Sequence, residues 1–271
     1  MPTYICVTCG VQYGDSARPP DQCIICNEER QYVKPEGQAW TTLAEMQTGG
    51  SYRNGFSKIS DDLFAVATHP KFAIGQTAYL IKTSGFNLLW DCITFLDEET
   101  IRYIKQEGGI DAIALSHPHY YSAQVEWAEI FDAKIYLHED DRQFVTRDSK
   151  RIHYWKGDVL SLHPNLSLHR LGGHFKGAAI AHCAKGGGTI FSGDVIRVAA
   201  DRNWATFMYS YPNFIPLSAS VVGRMANGLK ELKFEQLYDA FYKVMETGAK
   251  EKVLNSADRY MAALHDRLNR T

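Results

Sequence analysis

No apolar run in this chain approaches the roughly 20 residues needed to cross a bilayer. Charge of neither sign dominates: 29 Lys and Arg stand against 31 Asp and Glu, for a formal net charge of -2. The basic residues are scattered and form no stripe, which speaks against nucleic acid as a partner. Met1-Pro2-Thr3-Tyr4 carries no basic segment leading into an apolar one, so a secretory leader is not expected and a soluble, cytoplasmic protein is. Cysteine is sparse, with six in 271 residues. Without a secretory signal, disulfides are not the expected use of those six.

The length is enough to bury a full core and suggests one large domain with an appendage. Four of the cysteines, Cys6, Cys9, Cys23 and Cys26, form two CxxC pairs within twenty-one residues. Each pair is followed by Gly10 or Asn27, residues that tolerate the left-handed backbone such turns favour. So short a segment has too few apolar residues for a core of its own, and a cation held by four thiolates at about 2.3 Å per sulfur supplies the missing folding energy. A structural zinc is the expected occupant. Cys92 and Cys183 lie alone in or beside predicted strands and read as small buried hydrophobes. Pro35-Glu36-Gly37 reads as a linker, so the expected division is a four-cysteine module over residues 1–36 and a large domain over 37–271. Trp40 to Met46 is expected to add a short helix at the junction.

From about residue 57 the pattern is that of strands. Leu63 to Thr68, Thr77 to Thr83 and Phe86 to Trp90 are rich in β-branched and aromatic residues and are punctuated by Gly75 and Gly85. Glu98 to Gln106 has helical spacing, Ala112 to Leu115 reads as a buried strand, Ala123 to Phe131 as a helix and Lys134 to Leu137 as a strand, an α/β alternation. Ile152 to Ala184 is mostly strand-like, with turns at Lys156-Gly157-Asp158, His163-Pro164-Asn165 and Gly172-Gly173. Gly186-Gly187-Gly188 separates two strands as a hairpin connection does. A long aromatic segment with Trp204, Phe207, Tyr209, Tyr211 and Phe214 follows, either a pocket wall or an ordinary packing loop. Helical spacing resumes over Val221 to Leu232 and again over Lys250 to Arg270, where Leu254, Ala257, Met261, Leu264 and Leu268 form one apolar stripe.

The chemistry concentrates in Ser116-His117-Pro118-His119-Tyr120-Tyr121-Ser122. Two histidines one residue apart, where a strand ends, can turn both imidazoles to one point, and a third histidine with a carboxylate completes a metal site. Candidates are His174 in Leu171-Gly172-Gly173-His174 and Asp194 in Phe191-Ser192-Gly193-Asp194, roughly 55 and 20 residues further on in turn. The remaining histidines read as ordinary polar residues.

This order of His-x-His, Gly-His and strand-Gly-Asp resembles the metallo-β-lactamase superfamily over residues 57–271. The resemblance implies an α/β fold, a four-layer αββα sandwich, with the small four-cysteine zinc knuckle at the N-terminus. It assigns His117, His119, His174 and Asp194 to the first of the family's two metal sites, as ligands of one Zn or Fe. The second site is stripped. The motif's Asp position holds Tyr121, its His position Ser122, and alignment of Leu237 to Val244 on the family's Gly-His turn puts Phe241 where the last His belongs. Phenylalanine cannot coordinate and a neutral serine is a poor zinc ligand, so one metal at most is expected there.

The N-terminal Tyr-x-Cys-x-x-Cys-Gly start resembles rubredoxin, but only thirteen residues separate its two pairs, fewer than rubredoxin uses, which favours a short zinc ribbon. The function implied is a mononuclear metal-dependent hydrolase of a small ester, thioester, lactone or amide. Asp194 would serve as ligand and base, and Tyr121 as a donor to an oxyanion. A mononuclear non-haem iron redox protein and a non-catalytic metal-binding scaffold are the alternatives.

Overall fold

The computed structural model describes residues 1–268 and divides into two compact units, Met1–Trp155 and Lys156–Thr271.

The first unit opens with a three-stranded antiparallel sheet in the order β2-β1-β3, from β1 (Thr3–Cys6), β2 (Gln12–Asp15) and β3 (Trp40–Thr42). The helix expected over Trp40 to Met46 is thereby corrected. Trp40–Thr42 pairs with the edge of β1, with Tyr4 opposite Thr42, and α1 (Leu43–Thr48) starts only after it. The reason is a capping box: the Thr42 hydroxyl accepts from the Glu45 N–H and the Glu45 carboxylate accepts from the Thr42 N–H, which fixes the helix start at Leu43.

Next comes a seven-stranded sheet in the order β10-β9-β8-β7-β6-β5-β4. Its strands are β4 (Arg53–Ser60), β5 (Leu63–His69), β6 (Ala78–Thr83), β7 (Phe86–Trp90), β8 (Ala112–Ala114), β9 (Lys134–His138) and β10 (Ile152–Trp155). Strands β4 to β7 run as an antiparallel meander, and β7 to β10 are parallel. The parallel steps need crossovers, supplied by α2 (Glu98–Gln106), α3 (Gln124–Phe131) and, between β9 and β10, the 3-10 segment Glu139–Phe144. The α2 start is set by the Asp97 carboxylate, which accepts from the Thr100 N–H at 2.8 Å. The α3 end is set by Asp132 in the left-handed conformation, φ +57°. Residues 78–81 and 87–90 are buried without alternation, as central strands require. Strand β4, RNGFSKIS, is mostly exposed or half-buried, which is why its composition gave no strand signal.

The second unit is built on a six-stranded sheet in the order β11-β12-β13-β14-β19-β20. Strands β11 (Val159–His163), β12 (Leu166–Arg170), β13 (Ala179–Cys183) and β14 (Thr189–Phe191) are antiparallel neighbours. The connection through Gly186 to Gly188 is the expected hairpin. The aromatic segment forms two small ribbons, β15 (Arg197–Val198) with β16 (Ala205–Thr206) and β17 (Met208–Ser210) with β18 (Ile215–Pro216). Then come α4 (Ala219–Leu229), β19 (Gln236–Tyr238), parallel to β14, β20 (Val244–Met245) and α5 (Ala249–Leu264). Helix α5 packs on α4 and against β16 and β19, burying Ala249, Val253, Ser256 and Ala257. The helix expected over Lys250 to Arg270 therefore stops at Leu264, and Arg270 lies outside the described residues. Of the expected stripe, Leu264 and Leu268 are exposed, at 41% and 48%.

Candidate metal centres

Two groups of side chains have the composition and closeness of cation sites: Cys6, Cys9, Cys23 and Cys26, and His117, His119, His174 and Asp194. Within each group one ligand atom per residue lies within 4.8 Å of the others, and every member is buried.

In the cysteine group the Sγ atoms of Cys6 and Cys26, and of Cys9 and Cys23, are each 3.6 Å apart. A tetrahedron with arms of about 2.3 Å has edges of about 3.8 Å, so the donor set fits a tetrahedral thiolate site. The first turn is closed by the Gly10 N–H to Cys6 O at 2.8 Å, with Gly10 at φ +83°. The second turn is closed in the same way by the Asn27 N–H to Cys23 O at 3.0 Å, but Asn27 is not among the positive-φ residues, which corrects the expectation of a left-handed residue there. Gln38 ties the pairs together. Its Nε2 donates to Cys6 Sγ at 3.2 Å and its Oε1 accepts from the Cys23 N–H at 3.2 Å. Hydrogen bonds among the four thiols pull Cys6 and Cys23 below the usual thiol range and push Cys26 above it, while burial pushes Cys9 up.

The His-x-His loop is held by residues whose role the motif does not disclose. After β7 the chain turns at Asp91, φ +59° and 1% exposed. The Asp91 Oδ1 accepts from the Ser116 N–H at 2.7 Å, pinning the loop just before His117. The Ser116 hydroxyl lies 2.8 Å from His117 Nδ1, which leaves coordination to Nε2. The two imidazoles are edge-to-face, centroids 4.9 Å apart. Tyr121 is 2% exposed within the core cluster, and burial, with a contribution from Asp141, pushes its hydroxyl well above the usual range. The phenol therefore holds its proton. Ser122 is committed elsewhere: its hydroxyl donates to Cys92 O at 3.1 Å and accepts from Gln76 Nε2 at 2.9 Å. Its carbonyl accepts from the Gln12 N–H of the four-cysteine module at 3.0 Å.

His174 sits after Gly173, φ +84°, where a Cβ would come within 2.7 Å of Met225 Sδ and 2.9 Å of Leu217 Cδ1. Glycine is favoured there by its left-handed conformation, since the atoms a Cβ would meet are the ends of flexible side chains. His174 Nδ1 lies 3.1 Å from the Met208 carbonyl. A carbonyl only accepts, so Nδ1 carries the proton and Nε2 is again the ligand atom. Asp194 follows β14 in a turn set by the Ser192 hydroxyl, which donates to Ile196 O at 2.6 Å.

Beside Asp194 lie two residues without a signal in the motif. Arg197 Nη1 donates to Asp194 Oδ1 at 3.2 Å, and its Nε donates to Asp239 Oδ2 at 3.0 Å. The guanidinium lies 4.1 Å from the ring centroid of Phe241 and 5.1 Å from that of Tyr211. Asp239, completely buried, accepts from the Phe241 and Lys243 N–H groups with Oδ1 and from the Val198 N–H with Oδ2. Of the aromatic segment, Tyr211 is near the centre, 5.8 Å from His174, whereas Phe207 is fully buried and Phe214 is 83% exposed. Only part of that segment is therefore near the site.

No family model matches the chain. It is 56% identical over 274 residues to the uncharacterised protein YmaE of Bacillus subtilis (strain 168), covering all of both chains. Among solved structures it resembles DIM-1 metallo-β-lactamase, with a TM-score of 0.59 and 14% identity over 76% of this chain and 98% of that one. FIM-1 from Pseudomonas aeruginosa in its mono-zinc form gives 0.56 and 15%, over 77% and 96%. The chain belongs to the same family as YmaE, and its fold is that of the metallo-β-lactamases.

Proposed function

We propose that this chain is a metal-dependent hydrolase with a single-metal centre, acting on a small ester, thioester, lactone or amide. Residues 1–36 would form a four-cysteine zinc module on a 37–271 catalytic domain. The observation that carries this reading is the closeness of His117, His119, His174 and Asp194, beside second-site positions filled by Tyr121, Ser122 and Phe241. Three neutral imidazoles and one carboxylate suit zinc or iron(II).

Such an ion, when bound, supplies a Lewis acid that polarises a substrate carbonyl and lets water ionise near neutral pH. The chain's own residues do the rest. Asp194, as ligand and base, takes the proton of the attacking water. Ser116 and the Met208 carbonyl keep His117 and His174 aimed through Nε2. Tyr121 keeps its proton and donates to the oxyanion. An iron-dependent redox protein is the second reading, favoured because a tetrahedral four-thiolate set suits iron as well as zinc. Elemental analysis of protein purified without oxygen separates the two.

The test is hydrolysis by metal-replete full-length protein across a panel of activated carboxyl esters, thioesters, lactones and anilides. Turnover of at least one class, lost by a factor of about 10³ or more in His119→Ala, is expected. Silence across the whole panel would overturn the proposal.

A further inference from the structure

The second-metal region has lost its ligands, and the charge there has not been left vacant. Asp194 and Asp239 are 6% and 0% exposed, and carboxylates so deeply placed call for a cationic partner. The structure supplies one. The Arg197 guanidinium is bracketed by Asp194 Oδ1 at 3.2 Å and Asp239 Oδ2 at 3.0 Å. It is capped by Phe241, the residue that stands where the family's last ligand is expected. An aromatic face attracts a guanidinium and cannot bind a metal, so the Phe241 ring suits this occupant as an imidazole suits zinc.

We propose that Arg197 is a built-in replacement for the second metal ion. It is a positioning residue: it neutralises the Asp194–Asp239 pair, holds Oδ1 of Asp194, and so confines the histidine centre to one metal. This deepens the single-metal reading above and rests on it. Three features make Arg197 more than one more surface ion pair. Its Nε and Nη1 engage two different carboxylates. The Asp239 side of the bracket is fixed by three backbone N–H groups, which keep that carboxylate in place whatever cation it faces. The third feature is that the turn supplying two of those N–H groups, Phe241 to Lys243, is the one on which a metal ligand would otherwise be carried.

The experiment counts metal in full-length protein. Apo protein is titrated with cobalt(II), thiolate-to-cobalt charge-transfer bands report the four-cysteine group, and elemental analysis after desalting gives the total. Wild type is expected to hold two equivalents per chain, one in each group. Arg197→Gln keeps hydrogen-bond donors but removes the charge, and is expected to rise to three equivalents as a cation enters between Asp194 and Asp239. Arg197→Lys restores the charge and is expected to return to two. A melting curve of each variant reports folding, and Asp239→Asn in the Arg197→Gln background should abolish the third equivalent. If Arg197→Gln is folded and stays at two equivalents, Arg197 is only structural and this inference falls, while the single-metal reading stands. If wild type already binds three, the single-metal reading itself is wrong.

Discussion

The strongest demand this fold makes on a single residue is at Gly188, and the neighbouring Gly186 provides the control. Both belong to the Gly186-Gly187-Gly188 link between β13 and β14, and both have positive φ, +63° and +90°. A Cβ on Gly186 meets nothing within 4 Å, whereas one on Gly188 falls 1.9 Å from the Lys233 carbonyl oxygen, 2.8 Å from its carbon and 3.0 Å from Phe234 Cα. These are backbone atoms, and they sit where Gly188 O accepts from the Glu235 and Gln236 N–H groups at 2.9 and 3.3 Å to start the β14–β19 pairing. Gly186→Ala then costs only the left-handed backbone, about 1–2 kcal/mol. Gly188→Ala adds to a backbone strain of about 1–3 kcal/mol an overlap worth about 1–3 kcal/mol more, and the stiffness of the opposing backbone puts the total near the upper end, about 4–6 kcal/mol. At about 2–4 °C per kcal/mol, the melting midpoint falls by roughly 10 °C or more for Gly188→Ala and by a few degrees for Gly186→Ala. Because β14 leads to Asp194 and β19 to Asp239, the first variant should also bind less metal at the histidine group. Differential scanning calorimetry of the two variants decides it. Equal midpoints would show that the Lys233 backbone yields freely and that the steric argument is wrong.

Two further outcomes follow from single contacts. Asp91→Ala removes the acceptor of the Ser116 N–H and should weaken metal binding at the histidine group by about 10–100-fold, with cobalt uptake by the four cysteines unchanged; chelator competition measures both. His169 is held down to about 4 by burial, with the nearby His182 adding to it, so the unfolded chain takes up this proton first as pH falls. Its contribution is complete above about pH 6.5 and is lost as pH falls toward 4. The full drop is worth about 3 kcal/mol, cut to roughly 1–2 kcal/mol by the partial exposure of the ring. His169→Gln should therefore lose less stability than wild type between pH 7 and 4.5 in urea unfolding, and parallel losses would refute the assignment.

Much of the fold was legible where hydrophobicity and local signals agree. Phe86–Trp90 and Glu98–Gln106 form the elements their composition predicts, residue for residue. What escaped was decided by partners distant in sequence. Strand β4 is an edge with little buried apolar surface and exists through its pairing with β5. Trp40–Thr42 is a strand because β1 offers it an edge. Strands β19 and β20 are two or three residues each and are fixed by the Asp239 turn rather than by propensity.

The candidate site divides along the same physical line. The candidate ligands were legible because coordination demands particular atoms, and the loops delivering them carry glycine or paired histidines at short spacing. The side chains that position those ligands act by charge and by hydrogen bonds to backbone, which many residue types at many spacings can provide. Asp91 reaches Ser116 across 25 residues and Asp239 reaches Val198 across 41. The loss of a metal ligand is thus visible as a wrong residue at a motif position. Its compensation need not arise at that position, since a positive charge is defined by where it ends up rather than by where it is attached. Arg197, three residues after Asp194 in a stretch with no expected role, illustrates this: its side chain brings to Asp194 and Asp239 a charge that Phe241, at the position the resemblance aligns with a ligand, cannot carry.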